Sequence, residues 1–259
     1  MFINYQLPTL KYILQLDFKI LIRVLALGDM NLRLIDFAKF VTRQKSNNFS
    51  SDFQDLLVLY LINLHRISFS EVFYLDIGAF DGKTKSNTKL LHNMGAKGIC
   101  VEPNPEMKYS LLENQPNAQI ISIALVPDDG YENYNYLNLV GDRGIASRVI
   151  NKNFENSTVK IDVLIAKNFL DIYHLNKKNS KFKYLSIDIE GLDVYILQSF
   201  LENNYNPEVI SIEHNHNKNI QKLILDLTSK FEYISLFKNF FRNDFILVKK
   251  SYWDKELFE

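Results

Sequence analysis

The sequence predicts an α/β protein built on a mostly parallel seven-stranded sheet, with an antiparallel C-terminal strand and an N-terminal helical extension. Three observations predict it. Short apolar runs alternate with helical segments between residues 52 and 227, the pattern of parallel strands joined by crossover helices on both faces. The runs 73–77, 98–102 and 184–189 end in, or lead directly into, glycines and carboxylates, and ligands of open α/β sheets bind beyond the carboxyl ends of the strands. Finally, the apolar runs 231–237 and 245–249 flank a polar segment, which reads as two antiparallel strands and their turn.

Taken in order, residues 1–50 read as two helices. Leu14, Phe18, Leu21 and Leu25 recur at helical spacing, Gly28 stops the run, and Asn31 can cap a second helix carrying Leu32, Ile35, Phe37, Phe40 and Val41. This extension is expected to pack on the main domain; a dimer contact or a peripheral membrane contact are the sharper readings. A polar stretch over 43–51 separates it from the domain spanning 51–259. A helix over 52–67 leads into strands at 72–78, 98–102, 119–124, 184–189 and 208–213, with helices at 86–94, 105–113, 163–173, 192–202 and 217–227. The segment 128–160 breaks the alternation. It is rich in Asn and Tyr, carries Gly130, Gly141 and Gly144, and alternates Tyr134 and Tyr136 with polar residues, as an exposed hairpin would. Such an insertion either overhangs a site or decorates the surface.

The bulk properties narrow the function classes. The 259 residues, 47% hydrophobic and 23% charged, suit one α/β domain with additions and a large core. Thirty basic residues balance thirty acidic ones, so nothing points to nucleic acid as a partner. The lone Cys100 lies in an apolar strand, reads as a buried inert thiol, and excludes an internal disulfide or a cysteine-rich zinc site. The apolar stretch 10–27 is broken by Lys11, Asp17, Lys19 and Arg23 and lacks the layout of a signal peptide. No transmembrane segment is therefore expected, and a cytoplasmic location is.

The strand ends carry the chemistry. Asp76, Gly78, Ala79 and Gly82 follow the first strand, with Asn87 a little further on; Glu102, Pro103 and Asn104 follow the second. Glycines at 78 and 82 let the backbone turn tightly and approach a ligand. Asp76 can receive an amino group or its water network, and Glu102 can accept two hydrogen bonds from vicinal ribose hydroxyls. A dinucleotide would want G-x-G-x-x-G, yet Phe80 stands where the middle glycine belongs. A nucleoside cofactor without a pyrophosphate tolerates that loss, which points to S-adenosylmethionine.

These pieces resemble the FkbM-type methyltransferase family, a branch of the Rossmann-like enzymes dependent on S-adenosylmethionine. The likeness runs from about Phe49 to Lys249. It is carried by Gln54-Asp55, by the run from Asp76 to Gly82 with Ser86-Asn87-Thr88, and by the run from Gly95 to Pro105. Tyr184-Leu-Ser-Ile-Asp-Ile-Glu-Gly191 and Val209-Ile-Ser-Ile-Glu-His-Asn215 complete it. Phe80 departs from the small or polar residue more usual there. The resemblance implies methyl transfer, commonly to a hydroxyl oxygen of a sugar, glycan or small natural product.

Asp188 and Glu190, with Glu213 and His214 on the neighbouring strand end, are the candidates for the reacting centre. A hydroxyl is a poor nucleophile while protonated, so a general base, with Asp188 or His214 the best placed, or a divalent ion such as Mg²⁺ held by Asp188, Glu190 and Glu213 must assist. Glu190 could instead accept backbone N–H groups at the next helix start. A catalytically silent Rossmann-like binding or assembly module is the alternative from another class; the retained carboxylates argue against it.

Overall fold

The computed structural model of the protein describes residues 32–127, 131, 134, 136–138, 147–151, 158–237, 241 and 243–253. The first predicted helix with Leu14, Phe18, Leu21, Leu25 and Gly28, the cap Asn31, and Gly130, Gly141 and Gly144 lie outside the described residues.

Helices α1 (Leu32–Gln44) and α2 (Gln54–Leu64) precede strand β1 (Val72–Ile77). After α3 (Lys89–Asn93) come β2 (Lys97–Val101), α4 (Lys108–Asn114), β3 (Gln119–Ile121) and β4 (Ala124–Val126). The insertion contributes β5 (Tyr136–Asn138), β6 (Arg148–Ile150) and β7 (Thr158–Lys160). Then follow β8 (Val163–Ile165), α5 (Ala166–Ile172), β9 (Phe182–Ile187), α6 (Asp193–Glu202), β10 (Val209–Glu213), α7 (Lys218–Ser229), β11 (Tyr233–Leu236), β12 (Asp244–Lys249) and α8 (Lys250–Trp253).

The main sheet has seven strands in the order β11-β12-β10-β9-β1-β2-β3. β1 pairs in parallel with both β2 and β9, and β9 with β10, while β12 runs antiparallel to β10 and β11. This is the Rossmann-like α/β arrangement with an antiparallel C-terminal strand that the sequence predicts. The chain leaves β1 toward β2 on one side and later returns to β9 on the other, so the order reverses beside β1, where a ligand crevice opens.

Every residue of β1 is buried, as expected for a central parallel strand. Alternation divides its side chains between two cores. Tyr74 joins Phe37, Leu57, Cys100 and Tyr184 on one face, while Leu75 and Ile77 join Val101, Leu185, Phe169 and Phe200 on the other. Helix α1 belongs to the first face: Phe37 stacks on Phe237 with ring centroids 5.2 Å apart. Cys100 is buried, and burial pushes its thiol pKa well up, which keeps it inert.

Four expectations need correction. The run 119–124 is not one strand. β3 stops at Ile121, and Ala124–Val126 leaves the main sheet to pair in parallel with β8. The helix expected over 163–173 therefore starts at Ala166, because Val163-Leu-Ile165 is taken by β8. Short apolar runs of this kind suit a strand or a buried helix turn equally, and the β-branched pair and the waiting partner favour the strand. The insertion is a three-stranded antiparallel sheet, β6-β5-β7, rather than a two-stranded hairpin, and Leu137 at its centre is buried. Helix α3 is shorter than the predicted 86–94 because the Ser86 hydroxyl accepts the N–H groups of Thr88 and Lys89 and makes a turn first. Among the described residues no helix is long and apolar enough to cross a membrane.

Candidate functional site

Beyond the carboxyl ends of β1, β2 and β9 lie two adjoining cavities. The first, about 530 Å³, is lined by Gly78, Glu102, Pro103, Asp188 and Glu190, with an aliphatic wall from Ile123, Leu125, Leu137 and Val149. The second, about 950 Å³, is polar and includes Asp76, Ala79, Asn87, Ser186, Glu213 and Asp244. Gly78, Phe80, Asp188 and Glu190 line both.

Gly78 is what lets the cavities adjoin. Its φ is +87°, and a Cβ there would lie 1.9 Å from the Asp188 carbonyl oxygen and 3.1 Å from Ile189 Cγ2. No other residue fits this contact. The Asp188 N–H in turn donates to the Ile77 carbonyl at 2.9 Å, so the exits of β1 and β9 are locked together.

Glu102 sits just past β2 and is buried. One carboxylate oxygen accepts the Phe80 N–H at 2.8 Å and the other the Asn104 N–H at 2.8 Å. Each oxygen keeps further lone-pair capacity toward the first cavity. Burial pushes its pKa up to about 7, against the pull of the two N–H groups. Phe80, read from the sequence as an obstacle, contributes its backbone N–H to the site, with φ +48°.

Asp76 is buried at the floor of the second cavity. It accepts the Thr88 hydroxyl at 2.6 Å and a further hydrogen bond from Ser186. Burial raises its pKa to about 6. Asn87 donates to the Ser186 hydroxyl at 3.2 Å. Ser186 and Thr88 stand in the sequence only as parts of the family resemblance, with no role given; their register on β9 and the turn before α3 bring them to Asp76.

Asp188, Glu190 and Glu213 converge. One carboxylate oxygen from each lies within 4.8 Å of the others. Asp188 is exposed to the cleft. Enclosure by the cleft, then the charges of Glu213, Asp193, Asp244 and Glu190, push its pKa well up. Glu213 is raised to about 8 by burial first and then by Glu190, Asp193 and Asp244. The donor set is all oxygen, of the kind that suits Mg²⁺. Gln54 and Asp244 hydrogen-bond at the far wall of this cavity, a pair unforeseen because 190 residues separate them in sequence.

Three predicted residues stand back from both cavities. Gly82, with φ +73°, closes the turn after β1 and packs on Leu111 and Gln115. Asn104 orients Glu102 through its N–H and caps the turn at Pro105 by accepting the Glu106 N–H. His214 lines a separate depression with Arg148, Glu213 and Asn217. Its Nδ1 accepts the His216 N–H at 3.1 Å, which leaves the proton of the neutral ring on Nε2. Burial lowers its pKa.

These shifts have a consequence for stability. A carboxylate whose pKa is raised on folding binds more protons in the folded state, so its stabilisation is lost as pH rises through the folded value. Asp76, Glu102 and Glu213 rise from ordinary values to about 6, 7 and 8. The thermal midpoint of the ligand-free protein is expected to fall between pH 5 and 8.5, by on the order of several degrees for a protein of this size. Differential scanning calorimetry across that range checks it. A midpoint that rises with pH would contradict the assigned environments.

The methyltransferase FkbM domain family matches residues 76–243, more than half of the chain. No curated protein matches significantly. Among solved structures, a fibrillarin/Nop5p complex is similar at 12% identity and a TM-score of 0.36, over 69% of this chain and 71% of that one. A score of that size assigns no activity.

Proposed function

The chain belongs to the methyltransferase FkbM domain family, and on that premise we propose that it uses S-adenosylmethionine to methylate a hydroxyl oxygen of a sugar, glycan or small natural product. The observation that carries the reading is Glu102: a buried acid at the end of the second strand, held by two N–H groups and facing a cavity with an aliphatic wall.

Glu102 would grip the ribose hydroxyls, with Pro103 and the aliphatic wall beside the adenine. Gly78 and Ala79 would let the backbone approach, and Asp76 and Asn87 would face the amino-acid end. When bound, the cofactor supplies a methyl group on a sulfonium, already activated for in-line displacement. The protein's work is then to position the acceptor and take its proton; positioning alone contributes roughly 7–11 kcal/mol of barrier lowering. Asp188 is the group we assign to the proton. It opens to the cleft beside Glu190 and Glu213, at the end of the strand next to the expected methyl position. Those three carboxylates are also the residues that would hold Mg²⁺, a second reading favoured by their 4.8 Å convergence. We draw the acceptor's place at the second cavity, where the polar lining is richest.

Incubation with methyl-labelled cofactor and a panel of sugars, sugar nucleotides and glycan extracts tests the reading. Label is expected on oxygen. Label only on nitrogen acceptors would overturn the hydroxyl assignment. Activity abolished by chelation and restored by Mg²⁺ would favour the metal reading.

A further inference from the structure

We infer that Asp193 is a positioning residue, whose carboxylate clamps the 188–191 loop and so fixes how Asp188 and Glu190 face the cleft. Strand β9 ends at Ile187. The chain then turns through two left-handed residues, Glu190 at φ +57° and Gly191 at φ +126°. A non-glycine residue in that region is unfavourable and persists only where its surroundings over-determine it.

Asp193 provides the determination. It is buried in the first turn of α6 and reaches back to the loop. One carboxylate oxygen accepts the Ile189 N–H at 3.0 Å and the other the Gly191 N–H at 2.8 Å. The two bonds bracket Glu190. The bare Cα of Gly78 also packs against the Asp188 carbonyl, where even a methyl group has no room. The loop is therefore held by a wall and a clamp.

Electrostatics oppose a carboxylate at this place. Asp193 adds to the charges that raise Asp188 and Glu213, and burial raises its own pKa. An amide would relieve that repulsion, yet it would turn an NH₂ toward one of the two N–H groups. Only a carboxylate offers two acceptor oxygens in one plane. Glu190 lines both central cavities and the depression beside His214, so a shift of this loop alters each of them at once.

The inference goes beyond the proposed reaction, and it rests on that reading only for the cofactor affinity. The experiment compares the whole protein with Asp193→Asn and Asp193→Ala at a temperature where all are folded. Residue-resolved amide exchange by NMR reads the clamp, and calorimetric titration with S-adenosylhomocysteine reads its effect on the site. Exchange at Ile189 and Gly191 is expected to rise at least about tenfold, a lost charge-assisted bond being worth that much or more. Exchange at Ile196 and Leu197 inside α6 stays unchanged, and affinity for S-adenosylhomocysteine falls by about tenfold. Unchanged exchange at Ile189 and Gly191 would overturn the inference. So would an equal rise throughout α6, because Asp193 would then serve the helix rather than the loop. Failure of the unmodified protein to bind S-adenosylhomocysteine would sink the cofactor reading, while the exchange at 189 and 191 would still decide the clamp.

Discussion

Asp188→Asn is expected to lower kcat for methyl transfer by about 10²- to 10⁴-fold, the usual worth of a positioned general base, while affinity for S-adenosylhomocysteine stays close to that of the unmodified protein. The substitution keeps the shape of the side chain and removes its ability to take a proton. It also removes one charge from a crowded cluster, so the fold should gain rather than lose stability: the Asp188 pKa is pushed up by enclosure and by four neighbouring carboxylates. This pairing of a lost rate with an unharmed or firmer fold separates catalysis from structure. Steady-state kinetics with the acceptor from the labelling panel, beside a thermal melt, reads both. An asparagine variant with unmodified kcat would transfer the role elsewhere.

Glu102→Ala is expected to weaken binding of S-adenosylhomocysteine by roughly a hundredfold or more, since two hydrogen bonds to an ionised acceptor contribute about 1.5–3 kcal/mol each. The side chain also accepts the Phe80 and Asn104 N–H groups, and its removal frees both turns that frame the first cavity. Glu102→Gln separates these effects. It retains one acceptor oxygen and the packing, so it should bind better than the alanine variant and worse than the original. Isothermal titration of the three proteins gives the order directly; equal affinities would deny Glu102 any contact with the ligand.

Much of this was legible in the sequence, for physical reasons. β1, β2, β9 and β10 are buried on both faces and therefore read as continuous apolar runs. Glu102 and Asp188 stand at strand ends, where an acid has no place in the core and must face the crevice. Asp188 and Glu190 are two residues apart, a spacing that a continuing strand would place on one side. They do line the same cavities, but through a left-handed turn at Glu190 rather than through the pleat. His214 falls outside for a related reason: β10 ends at Glu213, and left-handed Asn215 and His216 redirect the chain immediately after it.

What was not legible depends on partners far apart in the chain. Asp193 acts on a loop only a few residues away, yet its role appears only once Gly78 packs on the same loop. The Gln54–Asp244 pair and the Ser186–Asp76 contact exist only after the sheet has assembled. The β4–β8 pairing escaped because two runs of three apolar residues carry too little pattern to tell a strand from a helix turn.

The central claim is that the crevice beyond β1 and β2 receives an adenosyl sulfonium, with Glu102 on its ribose. Calorimetric titration of the unmodified protein with S-adenosylmethionine tests it most directly. Saturable binding at one site per chain, competed by S-adenosylhomocysteine, is the predicted result; no detectable heat from protein that melts cooperatively would contradict it.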